Sequence, residues 1–91
     1  MHEVKFDRIV FELSAPIPLL LYQEDDLWYC EQPDFSILAS GGTAERAVYS
    51  FCEDFSALWD EIAQARDGSL TKEAVRVKHA LSSAVRSVKE R

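Results

Sequence analysis

The chain reads as an α+β domain: an antiparallel sheet of three to four strands, with a long helix packed on one face and a second helix at the C-terminus. Three observations carry that reading. Short apolar runs bounded by proline, acidic and glycine turns fill residues 1–40. At Gly41-Gly42-Thr43 the apolar spacing changes to steps of three and four. Asp67-Gly68 then separates that periodic stretch from a shorter one. The predicted organisation is a single domain over 1–91, with a β meander over 1–40, a core helix over 43–66 and a C-terminal helix over 71–89.

Val4 to Leu13 reads as one strand whose apolar phase changes midway, with Val4 and Phe6 on one phase and Ile9, Phe11 and Leu13 on the other. That change implies a bulge, or burial on both faces for part of the length. Ala15-Pro16-Ile17-Pro18 ends it, because proline supplies no N–H to a ladder. Leu19 to Gln23 and Leu27 to Gln32 flank the acidic turn Glu24-Asp25-Asp26 and form the clearest hairpin in the sequence. Pro33-Asp34 breaks the pairing, and Phe35 to Ala39 makes a short fourth strand.

Thr43 is a good N-cap for the helix that follows, and Glu45 places negative charge at the positive end of its dipole. Ala44, Ala47, Val48, Phe51, Phe55, Leu58, Trp59, Ile62 and Ala65 form one apolar stripe at helical period. Three rings on one stripe need a wide apolar partner, and the β-rich segment before Gly41 is that partner. Thr71 is the predicted N-cap of the second helix, with Leu70 and Val75 as a hydrophobic staple. Its stripe of Ala74, Val77, Leu81, Ala84, Val85 and Val88 contains no ring. A less tightly held helix, at an edge or on a second subunit, is expected.

Composition narrows the functional classes. The chain is 47% hydrophobic and 11% aromatic, which is globular and not disordered. No apolar run approaches the roughly 20 residues of a membrane span, and Met1 to Phe6 lacks the apolar stretch of a signal peptide. A soluble cytoplasmic protein without membrane association is expected. Cys30 and Cys52 are read as buried free thiols and not as a disulfide framework. The net charge of −6 disfavours phosphate partners and favours a basic protein. Bases crowd the last twenty residues, leaving the front strongly acidic.

A catalytic constellation is not found. Cys52 has no basic neighbour in sequence, and its helical neighbours Val48, Tyr49, Phe55 and Ser56 would raise its pKa. The two histidines and two cysteines match no zinc spacing. Glu24-Asp25-Asp26 lacks the further oxygen ligands of a calcium loop, and Gly41-Gly42-Thr43 lacks the lysine and glycine spacing of a phosphate loop. No enzyme activity, metal or cofactor is therefore expected.

Leu27-Trp28-Tyr29-Cys30-Glu31-Gln32-Pro33-Asp34, then Ile37, then Gly41-Gly42-Thr43-Ala44-Glu45-Arg46-Ala47, resembles the N-terminal domain of HicB-type antitoxins. That family reads as an acidic turn, an aromatic strand, Pro-Asp, a short strand, and Gly-x-Thr-x-x-x-Ala opening a helix. The resemblance spans roughly residues 19 to 60, and its signal lies in the order and spacing of the pieces. It implies a partial ribonuclease-H-like or double-stranded-RNA-binding-like fold. It also implies dimerisation and neutralisation of a small basic mRNA-cleaving toxin, HicA. Val4 to Leu13 is extra relative to the minimal family domain, and Leu70 to Arg91 reads as one helix without a DNA-binding module. That ending is similar to a stand-alone subgroup of short HicB-like proteins.

The expected partner-binding residues are Glu24, Asp25 and Asp26 at the turn, with Glu53, Asp54 and Glu61 on the exposed face of the core helix. A second reading places Lys72, Arg76, Lys78 and His79 of the last helix against phosphates, as a nucleic-acid-binding module. A third is a homodimeric regulatory domain using Trp28, Tyr29 and Tyr49.

Overall fold

The computed structural model describes residues 1–90, and its architecture is α+β, with two antiparallel three-stranded sheets and two helices. Asp7, at φ 56°, splits the single N-terminal strand expected from the sequence into β1 (Glu3–Phe6) and β2 (Ile9–Leu13). The phase change has a simple cause. A two-residue turn pairs Phe6 with Ile9, so even-numbered Val4 and Phe6 share a face with odd-numbered Ile9, Phe11 and Leu13. The prolines then carry the chain across to the second sheet, and Ile17 is buried on the way, its N–H bonded to the Met1 carbonyl at 2.8 Å.

The second sheet is β3 (Leu20–Glu24), β4 (Leu27–Gln32) and β5 (Ile37–Gly41), paired in that order. Its hairpin matches the sequence reading. A 3-10 turn at Pro33–Phe35 links β4 to β5, and the buried Gln32 holds it. The Gln32 amide donates to the Pro18 carbonyl at 3.1 Å and accepts from the Asp34 N–H at 2.6 Å.

Thr43 caps α1 (Ala44–Leu58) as expected, its hydroxyl accepting from the Arg46 N–H at 3.1 Å. The helix continues as a π turn over Trp59–Ala63, so the core helix expected over 43–66 ends earlier. Gly41 is required by proximity and not by φ. A Cβ there would lie 2.7 Å from Ala47 N and from Arg46 backbone, where nothing flexible can give way. At Gly42 a Cβ would meet nothing within 4 Å.

α1 is wedged between the inner faces of the sheets, with Ala47, Phe51, Cys52, Phe55 and Ser56 buried. The Phe55 ring meets Phe11 of β2 at 5.2 Å, Phe35 of the 3-10 turn at 5.3 Å and Phe51 at 6.1 Å. The first two contacts are edge-to-face, the geometry the ring quadrupoles favour. Phe55 thereby joins both halves of the chain.

The C-terminal segment departs from expectation twice. α2 (Lys72–Ala84) is firmly held, because Leu81 is fully buried and Val77 nearly so. The helix expected over 71–89 stops at Ala84, and β6 (Val85–Glu90) pairs with β2, giving the sheet order β1-β2-β6. Val85 and Val88 fit a helical stripe but, being β-branched, fit a strand better. The open edge of β2 decides between them, with Leu13 opposite Val85 and Phe11 opposite Val88.

Phe55→Ala is expected to lose about 3–5 kcal/mol of stability, the cost of a large core cavity, read by urea unfolding. Gly41→Ala should destabilise by about 1–3 kcal/mol through overpacking. Gly42→Ala should be neutral or stabilise by about 0.4–1 kcal/mol through reduced unfolded-state entropy. Equal effects at the two glycines would contradict the close approach at Gly41.

Candidate partner-binding surface

α1 covers one face of the β3–β4–β5 sheet, and alternation along the strands sends the remaining side chains outward. Leu20, Glu31 and Leu38 stand in one cross-strand row, Tyr22, Tyr29 and Ser40 in the next, and Glu24 with Leu27 beside the turn. Leu20 is 58% and Leu38 59% exposed, and Leu27 is also exposed. Tyr22 and Tyr29 stack at 5.4 Å, and the Tyr22 hydroxyl donates to Glu31 at 3.4 Å. Burial and the neighbouring Glu31 carboxylate push the Tyr22 phenol up. This is an apolar and aromatic platform, uncovered within the described residues.

An acidic cap stands at one end of the platform. Asp25 (φ 51°) and Asp26 (φ 67°) both adopt the left-handed conformation, forming the tight two-residue loop that matches strand twist. Aspartate tolerates this conformation better than most side chains. The three turn acids Glu24, Asp25 and Asp26 are all exposed.

Asp54 lies elsewhere. It lines a shallow depression with Ser36, Ile37, Leu38, Ala57 and Leu58, at the opposite end of β5 from Gly41. Because Trp28 beside the turn pairs with Gly41, the turn acids and Asp54 flank the sheet at its two ends. The length of β5 separates them, about 3.3 Å per residue. Glu53 precedes Asp54, and Glu61 lies further on in the π turn. The six expected acids therefore do not form one patch. Burial first, and the Glu53 charge second, hold the Asp54 carboxyl above its ordinary value.

Among the described residues four acids, Glu3, Glu12, Asp67 and Glu73, hold ion pairs. Lys5 pairs with Glu3, Arg76 with Glu73, Lys78 with Asp67, and Arg86 and Lys89 both with Glu12. Glu24, Asp25, Asp26, Glu53, Asp54 and Glu61 have no ion-pair partner among the described residues. Lys89 foremost, then Ser87 and Arg86, hold Glu12 at about 2, and Arg76 with Ser36 holds Glu73 at about 2. Five bases are engaged by these structural partners, while Glu24, Asp25, Asp26, Glu53, Asp54 and Glu61 are exposed to solvent.

The cations named for a nucleic-acid reading are largely engaged. Arg76 donates to the Asp34 carbonyl at 3.0 Å, the Pro33 carbonyl at 3.2 Å and Ser36 Oγ at 2.9 Å, so it clamps the 3-10 turn to α2. Lys78 donates to the Ala65 carbonyl and to Asp67, each at 2.7 Å, and His79 Nε2 lies 3.3 Å from Asp67. The rings named for a self-interface do not share a surface. Tyr29 points outward, Trp28 lies on the inner face of the sheet opposite Gly41, and Tyr49 stands edge-on to Phe6 at 5.7 Å under Arg46. The outward leucines are not among the residues expected from the sequence. Their signal was the hairpin register, which a two-residue loop dictates.

Cys30 and Cys52 are buried free thiols, and burial pushes both up. Among the described residues no three His, Cys, Asp or Glu side chains form a metal-binding cluster, and no helix is long and apolar enough to cross a membrane. Compared with protein-family models, curated proteins and solved structures, the chain matches none.

Asp54 binds its proton more tightly in the folded than in the unfolded chain, so its contribution favours folding at low pH and opposes it once pH has risen through the raised value. Asp54→Asn should therefore raise the urea midpoint at pH 7 and leave it almost unchanged at pH 3. A loss of stability at pH 7 would show that the carboxylate is structurally required.

Proposed function

We propose that this chain is a non-catalytic, HicB-like antitoxin-type protein that neutralises a small basic, HicA-like mRNA-cleaving toxin. The observation that carries the reading is the allocation of charge. The unpaired turn acids Glu24, Asp25 and Asp26 stand at one end of an exposed leucine and tyrosine platform, and Asp54 borders Leu38 at the far end of β5, on a chain of net charge −6. A platform of this kind suits a protein partner, since tyrosine and leucine supply contact area and the flanking carboxylates attract a basic surface. The family resemblance over residues 19–60 supplies the class of that partner.

The turn acids and Asp54 have different parts in this reading. The turn acids sit on a tight two-residue loop and steer encounter, an effect that weakens with salt. Asp54, next to Leu38 in the shallow depression, makes a closer ion pair once a cation covers it. Occupying the toxin's basic active face would silence it by steric and electrostatic block, without chemistry by the antitoxin.

The experiment pairs the purified protein with the product of an adjacent reading frame encoding a short basic protein that carries a glycine and a histidine suited to RNA cleavage. Association rates are followed as salt is raised. Glu24→Gln, Asp25→Asn and Asp26→Asn together preserve the turn, because asparagine also accepts the left-handed conformation. This triple variant should associate several-fold more slowly and with a flatter salt dependence, while Asp60→Asn should not. No complex at any salt concentration, or continued RNA cleavage within the complex, would refute the antitoxin reading.

A further inference from the structure

β3 ends its sheet, and it is an edge strand without the usual protection. Its sequence Leu20-Leu21-Tyr22-Gln23-Glu24 contains no proline and no lysine, and its register against β4 runs unbroken from Leu20↔Glu31 to Glu24↔Leu27. Only β3 and β6 contain no buried residue. β6 carries Arg86, Lys89 and Glu90, and its pairing with β2 is irregular at Glu12/Leu13. Those are devices that keep an edge from pairing. β3 instead exposes Leu20 on the outer face and Leu21, 40% exposed, on the inner face, where it borders a depression with Ala44, Glu45 and Val48. A strand with open apolar residues on both faces matches an interior strand of a larger sheet.

The two-residue loop determines which backbone groups are free. Glu24 and Leu27 flank it as a hydrogen-bonded pair, so Tyr22 and Leu20 also bond towards β4, while the N–H and C=O groups of Leu21 and Gln23 point away from it. These outward groups lie symmetrically about Tyr22. We infer that β3 pairs antiparallel with β3 of a second copy about a two-fold axis at Tyr22, joining two three-stranded sheets into one of six strands.

The register follows from this symmetry. Leu21 and Gln23 of one copy exchange both backbone hydrogen bonds with Gln23 and Leu21 of the other. Tyr22 meets its counterpart in the closer, non-hydrogen-bonded position, with Cα atoms about 4.5 Å apart. The stacked Tyr22–Tyr29 pair then extends into a row of four rings across the axis. Glu24 faces Leu20 of the other copy, so the two acidic turns lie at opposite ends of the shared strand pair and do not repel. That placement favours a second copy over a basic foreign strand, which would be drawn to the turn and not to Leu20–Tyr22. Both turns remain exposed, and the pairing stands independently of the toxin reading.

Oligomeric state by light scattering, joined to amide hydrogen exchange, tests the pairing. The wild-type mass should be that of two chains at micromolar concentration, with the Leu21 and Gln23 amides protected and their protection lost on dilution. Gln23→Pro removes an outward N–H without taking a bond from the β3–β4 ladder, and Tyr22→Glu sets two like charges on the axis. Each should give the mass of one chain, with an unchanged far-ultraviolet spectrum and intact protection in β4. A monomeric wild type, a dimer that survives both substitutions, or fast exchange at Leu21 and Gln23 within a dimer would each overturn the inference.

Discussion

The Phe55 ring is the constraint on which the fold depends. The chain builds two separate sheets, one from residues 3–13 closed by 85–90 and one from residues 20–41, and neither is large enough to bury its apolar face alone. Phe55 meets Phe11 from the first sheet and Phe35 beside the second, while Trp59, one turn on, touches Phe11 again at 5.7 Å. The apolar stripe of α1 is thus the layer that both sheets share. Gly41 allows that layer to start at once after β5, because any side chain there would push the first helical turn away.

Polar groups complete what the rings begin. Gln32 and Arg76 hold the 3-10 turn from two sides, satisfying the carbonyls of Pro18 and Asp34 and adding a second donor at Pro33, which already accepts the Ser36 N–H. Glu12 draws Arg86 and Lys89 onto β2 and so fastens the last strand. Five bases are held in such ion pairs, the turn at one end of the β3–β4–β5 platform is acidic, and the platform itself is leucine and tyrosine.

Much of this was legible beforehand. The hairpin, both threonine caps, the helix stripe and the identity of the acidic turn follow from local chemistry, and all lie within one element or its immediate flanks. The split of Val4–Leu13 was present as a change of apolar phase, but a bulge and a tight turn leave the same mark until the partner strand is known. The candidate surface was half legible. The exposed acids could be named from periodicity, but their separation to opposite ends of the sheet depends on the antiparallel run of α1 over β5. The outward leucines were hidden because an apolar run does not say which face a layer will cover.

By itself, the sequence determined the α+β class, the positions of the turns and caps, the acidic balance and the apolar stripe that contains Phe55. These are properties of spacing and composition, set by interactions a few residues apart. Only the tertiary structure decided that the strands form two sheets, that Val85–Glu90 leaves the helical pattern to close β2, and that one face of β3–β4–β5 stays open. Each of those outcomes is a competition between distant partners for the same backbone edge or apolar face. Such a competition is settled by what else the folded chain brings alongside.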